Sequence, residues 1–261
     1  MTEMEHHPVT DDRSDAQLAA DLAAEAGALL VRIRADFPQD GDPKELKSAG
    51  DLGSHDYLMR ALAAARPNDA VLSEEGADDP VRLTSERVWI VDPLDGTREF
   101  SERPRDDWAV HVALWERGEL TAGAVALPAR GQVFSTEAPP AVPAPSEGKL
   151  RLAVSRSRPP VWLDSLVAAL DAEVVGMGSA GVKAMSVLDG TTDAYVHAGG
   201  QYEWDSAAPV VVAQAAGLHT SRVDGSPLVY NQRHVLLPDL VVCRPELADQ
   251  VLAAVATLDL S

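Results

Sequence analysis

The sequence predicts a mixed α/β protein, α+β in its first half and alternating α/β in its second. Three observations predict this class. Near the start, Leu18, Leu22, Leu29, Leu30 and Ile33 recur at helical spacing. In the middle, short β-branched and apolar runs are separated by turn residues. From residue 150 onward, helical and strand patterns alternate, as they do where helices cover a sheet.

Taken in order, His6 and His7 lie in a polar leader and read as solvent residues. Ser14-Asp15-Ala16-Gln17 forms a capping-box pattern, so a long amphipathic helix runs from there to about Asp36. Pro38 to Pro43 is a turn-rich loop, with Lys47 in flexible chain beyond it. A second helix is expected from Asp51 or Ser54 to Arg66-Pro67, carrying Leu58, Met59 and Leu62 inward. Val71-Leu72 is a short strand ended by Ser73-Glu74-Glu75-Gly76, and Val88 to Val91 is a buried strand. Pro104 limits any helix from Thr97 to a short one. Ala109–Leu114 and Leu120–Leu127 form a hairpin around Glu116-Arg117-Gly118-Glu119, extended by Gln132-Val133-Phe134.

Pro139, Pro140, Pro143 and Pro145 make a stiff linker and mark the boundary between two halves. The halves run over 8–138 and 149–261, within a single unit spanning 1–261. Beyond the linker, strands are expected at Leu150–Val154, Glu173–Val175, Ala194–Val196 and Leu240–Cys243. Helices are expected at Pro160–Leu170, from Gly178-Ser179-Ala180-Gly181 through Leu188, from Glu203 to Gly217, and over Pro245–Leu258. Pro209 is tolerable in the third of these only within its first turn.

With 261 residues the chain suffices for one large domain or two modest ones. Against 22 basic residues stand 41 acidic ones, a net charge of −19, which argues against nucleic-acid and anionic-membrane partners. No apolar run reaches the length of a membrane span, and the polar N-terminus does not resemble a signal peptide. Cys243 is alone, so no disulfide forms within the chain. Together these features favour the cytoplasm.

The chemistry converges on Trp89 to Thr97, where a strand gives way to a turn that carries Asp92, Pro93, Asp95, Gly96 and Thr97. Glu74, Asp205 and Asp56 also sit at strand ends or helix starts. Buried acids are costly unless paired or metal-bound, and few basic residues adjoin these in sequence. Oxygen ligands without a His/Cys cluster point to magnesium rather than zinc. Several carboxylates around more than one magnesium suit transfer of a phosphoryl group to water.

Asp92-Pro93-Leu94-Asp95-Gly96-Thr97 and Trp204-Asp205-Ser206-Ala207-Ala208 resemble the two signatures of the inositol monophosphatase family, with Ser73-Glu74-Glu75 upstream in the family's order. The resemblance covers nearly the whole chain. It implies a layered αβαβα sandwich of the inositol monophosphatase/fructose-1,6-bisphosphatase type, lithium sensitivity and a homodimer. It implies that Glu74, Asp92, the Leu94 carbonyl, Asp95 and Asp205 bind two or three magnesium ions, with Asp92 bridging two. Thr97, with Asp56 accepting its proton, would orient the attacking water, and Glu74 would share in catalysis. The family usually has Thr-x-x-Asp or Thr-x-Asp where this chain has Gly53-Ser54-His55-Asp56. Gly96 and Thr97 N–H groups would hold phosphate oxygens, with Lys47 nearby.

Val154-Ser155-Arg156-Ser157-Arg158 resembles the Val-Ser-Arg-Ser-His run of the family's CysQ-type bisphosphate nucleotidases. There an Arg and two hydroxyls, Ser155, Arg156 and Ser157, suit a second phosphate. Ser179 and Lys183 resemble the same branch's recognition loop, and Tyr202 and Glu203 could either reach base or sugar or pack the loop. The substrate implied is a small phosphorylated molecule, 3′-phosphoadenosine 5′-phosphate, hydrolysed to AMP. Asp193-Ala194-Tyr195-Val196-His197 is closer to the inositol monophosphatase version, which keeps inositol 1-phosphate, with fructose bisphosphate beside it, as an alternative. A catalytically silent nucleotide-binding module is the remote alternative.

Overall fold

The computed structural model describes residues 11–145 and 147–260, so His6, His7 and the first residues of the expected 8–138 half lie outside the described residues. Helix α1 spans Asp15–Asp36, and the Ser14 hydroxyl accepts the Gln17 N–H at 3.0 Å, as the capping pattern predicts. Its Leu18, Leu22, Ala26 and Leu30 stripe is fully buried or nearly so.

Helix α2 runs from Pro43 to Ala65, eight residues or more ahead of its predicted start. The start signal is Asp42, whose carboxylate accepts the Lys44 N–H at 2.8 Å, followed by Pro43 in the first turn. Lys47 therefore lies on a helix rather than in a flexible loop. The buried face is Leu46, Gly50, Ser54, Leu58 and Leu62. Truncating fully buried Leu58 to Ala at this contact should cost roughly 2–5 kcal/mol.

Strand β1 (Ala70–Ser73) pairs parallel with β2 (Arg87–Asp95), so both strands end on the same side, with Ser73 opposite Val91. The short helix α3 (Thr97–Ser101) follows. Strands β3 (Ala109–Glu116), β4 (Glu119–Leu127) and β5 (Gln132–Ser135) continue an antiparallel meander, giving the order β1-β2-β3-β4-β5. The β3–β4 turn takes positive φ at Arg117 and Gly118, which suits a tight hairpin. Residues 139–145 carry no regular structure, as the prolines predict.

The second sheet has the order β7-β6-β8-β10-β9. It is built from β6 (Arg151–Ser155), β7 (Glu173–Met177), β8 (Ala194–Tyr202), β9 (His219–Ser221) and β10 (Leu236–Cys243). Helices α4 (Leu163–Leu170), α5 (Ala180–Leu188), α6 (Glu203–Ala215) and α7 (Ala248–Val255) alternate with these strands. Strand β9 was not predicted; three residues carry too little pattern to read. Pro209 is the seventh residue of α6, not a first-turn residue. It lacks the N–H that would bond the Asp205 carbonyl, and the helix tolerates that loss one turn from its start.

Three apolar clusters define the layers. One joins α1 and α2 to the first sheet through Trp89, Val91, Val110 and Val112. The second fills the space between the sheets with Val182 and Met185 from α5 and Val210 and Val212 from α6, together with Ile90, Tyr195 and Leu240. The third packs Trp162, Leu166 and Val251 on the far face of the second sheet. The sequence of layers is α1α2, sheet, α5α6, sheet, α4α7, an αβαβα sandwich. No helix among the described residues is long and apolar enough to cross a membrane.

Candidate active site

The acidic centre forms where β1 and β2 end and α6 begins. In a regular strand, residues three apart point to opposite faces. The β2–β3 register is interrupted between Asp92 and Asp95, at Pro93, which has no N–H to give to a ladder. That irregularity lets both carboxylates reach one place. Asp92, Asp95 and Asp205 each offer an oxygen within 4.8 Å of the others. Glu74, just beyond β1, borders the same cleft, and its titration is linked to that of Asp92 and Asp205. The Asp92 carboxylate also accepts the Leu94 N–H at 3.0 Å, and Asp205 accepts the Tyr202 N–H at 2.6 Å in the first turn of α6.

Crowded acids deprived of water hold protons. Burial, then the charge of Asp205, pushes Glu74 up to about 7, although its side chain opens toward the cleft. Burial, then Asp95, pushes Asp205 up to about 6. Asp92 lies well above the usual carboxylate range, from burial and then from Glu74 and Asp95. Asp95 goes the other way. Burial alone would raise it, but its partners outweigh burial and hold it below the usual range. Its Oδ2 accepts from the Ser179 hydroxyl at 2.5 Å and the Gly181 N–H at 2.7 Å, and His111 Nε2 stands 3.2 Å away. Acids with raised pKa, oxygen donors only and too few cations fit a divalent metal ion.

His111 was not singled out in the sequence. Its ring Nδ1 lies 3.0 Å from the Trp204 carbonyl, so one buried ring spans from Asp95 to the residue before Asp205. The signal was there: a lone polar residue inside the apolar run Ala109–Leu114.

Thr97 opens α3 behind Gly96, which takes φ 86°. Its hydroxyl donates to the Leu94 carbonyl at 3.2 Å, and a carboxylate faces it closely enough for the hydroxyl to favour the charged form. That carboxylate belongs to Asp51, not to the expected Asp56. Asp56 is exposed, whereas Asp51 sits on the cleft side of α2. At about 100° per residue, five residues along a continuous helix turn a side chain about 140° away. Once α2 starts at Pro43, Lys47, Asp51 and Ser54 share its inner side. The Ser54 hydroxyl donates to the Pro93 carbonyl at 2.7 Å, fastening that side to the end of β2. Burial, then Glu75, pushes Asp51 up to about 7.

Two cavities meet at this centre. A polar cleft of about 410 Å³ is bordered by Lys47, Leu94, Gly96, Thr97, Ser157 and Ser179 together with the acids. A more enclosed pocket of about 470 Å³ is walled by Leu152, Pro160, Trp162, Tyr195 and Tyr202. Glu74, Ser155, Arg158, Lys183 and Asp205 border both. The ring of half-exposed Tyr202 stacks on Trp204 at 4.8 Å.

Other expected substrate contacts turn out to be occupied. Arg156 donates to Glu99 and Glu102, each at 2.8 Å, and borders neither cavity. Glu203 is buried, and its carboxylate accepts the N–H groups of Asn231 at 2.6 Å and Gln232 at 2.7 Å. It braces α6 instead of facing substrate. Ser179 borders the cleft but spends its hydroxyl on Asp95 while capping α5 through Val182 N–H. Lys183 borders both cavities, with Nζ donating to the Ser179 carbonyl at 2.5 Å over the Tyr195 ring; burial pushes its pKa down.

Fold and site together define a layered αβαβα protein with an acidic, metal-binding centre between its sheets. The inositol monophosphatase family model matches residues 11–259. The chain belongs to the inositol monophosphatase family. It is 57% identical over 256 residues to the 3′-phosphoadenosine 5′-phosphate phosphatase of Mycobacterium bovis, covering 95% of this chain and 96% of that one. It is 33% identical over 235 residues to the 3′(2′),5′-bisphosphate nucleotidase CysQ of Escherichia coli K12, covering 83% and 94%. The crystal structure of CysQ from Bacteroides thetaiotaomicron superposes with a TM-score of 0.76 at 26% identity, over 90% of this chain and 98% of that one.

Proposed function

We propose that the chain is a magnesium-dependent phosphatase that hydrolyses 3′-phosphoadenosine 5′-phosphate to AMP and phosphate, working as one unit of two halves that share a single site. The observation that carries this reading is the junction of the polar cleft with a second, more enclosed pocket whose walls include Trp162, Tyr195 and Tyr202. A phosphate lies over the carboxylates while a nucleoside enters the pocket. A single inositol phosphate seated over the carboxylates would leave the aromatic walls of that pocket uncovered. The names of the relatives support the same substrate.

Glu74, Asp92, the Leu94 carbonyl, Asp95 and Asp205 would hold two or three magnesium ions in this reading. When bound, the ions supply Lewis-acid polarisation of phosphoryl oxygens and acidification of water. The chain's own groups do the rest. Thr97 orients the attacking water, and Asp51 takes its proton through the hydroxyl contact. Gly96 and Thr97 N–H groups orient the phosphate. The water oxygen bonds to phosphorus, the bond to the 3′-oxygen breaks, and that oxygen leaves as the hydroxyl of AMP. A homodimer and a cytoplasmic setting complete the proposal, resting on the family resemblance and on a single, buried cysteine.

The test is kcat/KM with magnesium for 3′-phosphoadenosine 5′-phosphate, inositol 1-phosphate and fructose 1,6-bisphosphate. A preference of tenfold or more for the nucleotide is expected, on the order of one good polar contact. A preference for inositol 1-phosphate overturns the reading.

A further inference from the structure

Among the described residues four cations border the polar cleft, Lys47, Arg98, Arg158 and Lys183, and they differ in what they are free to do. Lys183 already gives its ammonium to the Ser179 carbonyl. Lys47 and Arg98 border the polar cleft but not the enclosed pocket. Arg156, in the same loop as Arg158, is held between Glu99 and Glu102 and borders neither cavity. Arg158 is different. It borders both cavities, and its one hydrogen bond among the described residues is from its backbone N–H to the Ser155 hydroxyl at 3.2 Å. Its charge is felt at His197 in the wall of the enclosed pocket.

The local chain is made to keep it there. The Ser155 contact turns the loop back at the end of β6, and Pro159 and Pro160 restrict the backbone that follows. The stiffened backbone fixes where this exposed side chain starts, and its planar fork matches two phosphate oxygens at once.

We infer that Arg158 is the specificity residue for a doubly phosphorylated nucleotide, its guanidinium gripping the phosphate that is not hydrolysed while the other lies over the carboxylates. This assignment rests on the nucleotide reading above. It moves the second-phosphate contact from Arg156 to the arginine two residues on, because Glu99 and Glu102 hold the former.

The experiment compares 3′-phosphoadenosine 5′-phosphate with 3′-AMP, which lacks the second phosphate, on wild type, Arg158→Ala, Arg158→Lys and Arg156→Ala at saturating magnesium. In wild type, KM for the bisphosphate is lower. Arg158→Ala raises that KM by about 10- to 100-fold, the range for a charge-assisted hydrogen bond, with kcat held within about threefold and 3′-AMP kinetics unchanged. Arg158→Lys recovers part of the loss, since it keeps the charge without the fork. Arg156→Ala alters both substrates alike. Wild type that prefers the bisphosphate, with the preference intact in Arg158→Ala, overturns the assignment alone. Wild type that shows no such preference overturns the nucleotide reading and this assignment with it.

Discussion

The Asp51 carboxylate, on the inner side of α2, faces the hydroxyl of Thr97, the first residue of α3, closely enough for that hydroxyl to favour its charged form. The hydroxyl itself donates to the Leu94 carbonyl, 3.2 Å away. Asp51 is pushed up to about 7 by burial and then by Glu75, so around neutral pH it can take a proton and give it back.

Asp51→Asn keeps the shape and removes the base. Its kcat should fall by about 10²–10⁴-fold, the usual worth of a positioned base, while the magnesium-induced rise in Tm persists. Asp56→Asn, on the exposed side, should stay within about twofold of wild type, as surface substitutions generally do. Steady-state kinetics of the two variants decide between the two aspartates; a large loss in the Asp56 variant alone sinks the assignment.

In the proposed reading magnesium would compete with protons for the same acids. Glu74, Asp92 and Asp205 have folded-state pKa values raised above those of the unfolded chain. A raised carboxyl contributes stability that is fully present below its unfolded pKa and is lost as pH rises through the folded value. For Glu74 and Asp205 that window runs from about 4 to about 7 and about 6. A cation that takes the site offsets this loss. The Tm gain from added magnesium should therefore grow between pH 5 and pH 8. At 100 times Kd the gain is about 2.7 kcal/mol, or roughly 5–10 °C for a chain of this size. Calorimetric titration in buffers of different ionisation enthalpy should also detect proton release. A Tm gain independent of pH is incompatible with these three acids as the ligands.

Much of this was legible in the sequence because it is local. Strand β2, its turn residues and the Ser14 cap depend on neighbours in the chain, and the acids Glu74, Asp92, Asp95 and Asp205 fall where expected. What failed was register and partnership. The late start expected for α2 left Asp51 at its edge, and the family-like run Gly53 to Asp56 pointed to Asp56 in its place. The groups that occupy Arg156 and Glu203, namely Glu99, Glu102, Asn231 and Gln232, are 28 to 57 residues distant, so local sequence does not show them. His111 reaches Trp204 across 93 residues, and no spacing rule spans that.

Glu203 tests the difference between bracing and binding. Arg82, almost fully buried, pairs with Asp78 and donates to the Asn231 side chain at 2.8 Å and the Gln232 carbonyl at 3.0 Å. Asn231 and Gln232 in turn donate to Glu203, two residues before Asp205. In Glu203→Gln one amide N–H would face a backbone N–H. This should cost about 1–3 kcal/mol of stability, read by urea unfolding, and raise the magnesium needed for half-maximal activity. At saturating magnesium KM should be close to wild type. A raised KM with unchanged stability would return Glu203 to the substrate.

Gly181 tests how His111 is held. A Cβ built there falls 2.1 Å from His111 Nε2, a ring pinned on its other side by the Trp204 carbonyl. The same glycine's N–H donates to Asp95 at 2.7 Å. In Gly181→Ala either the ring or the helix start must move, and both touch Asp95. Overpacking of this kind costs about 1–3 kcal/mol, and magnesium affinity should fall with it. The two sites touch, so the effects should not add. In an His111→Ala background the clash is gone, and Gly181→Ala should cost less than it does in wild type. A double-mutant cycle in thermal stability measures this; strict additivity means that the ring is not what the glycine makes room for.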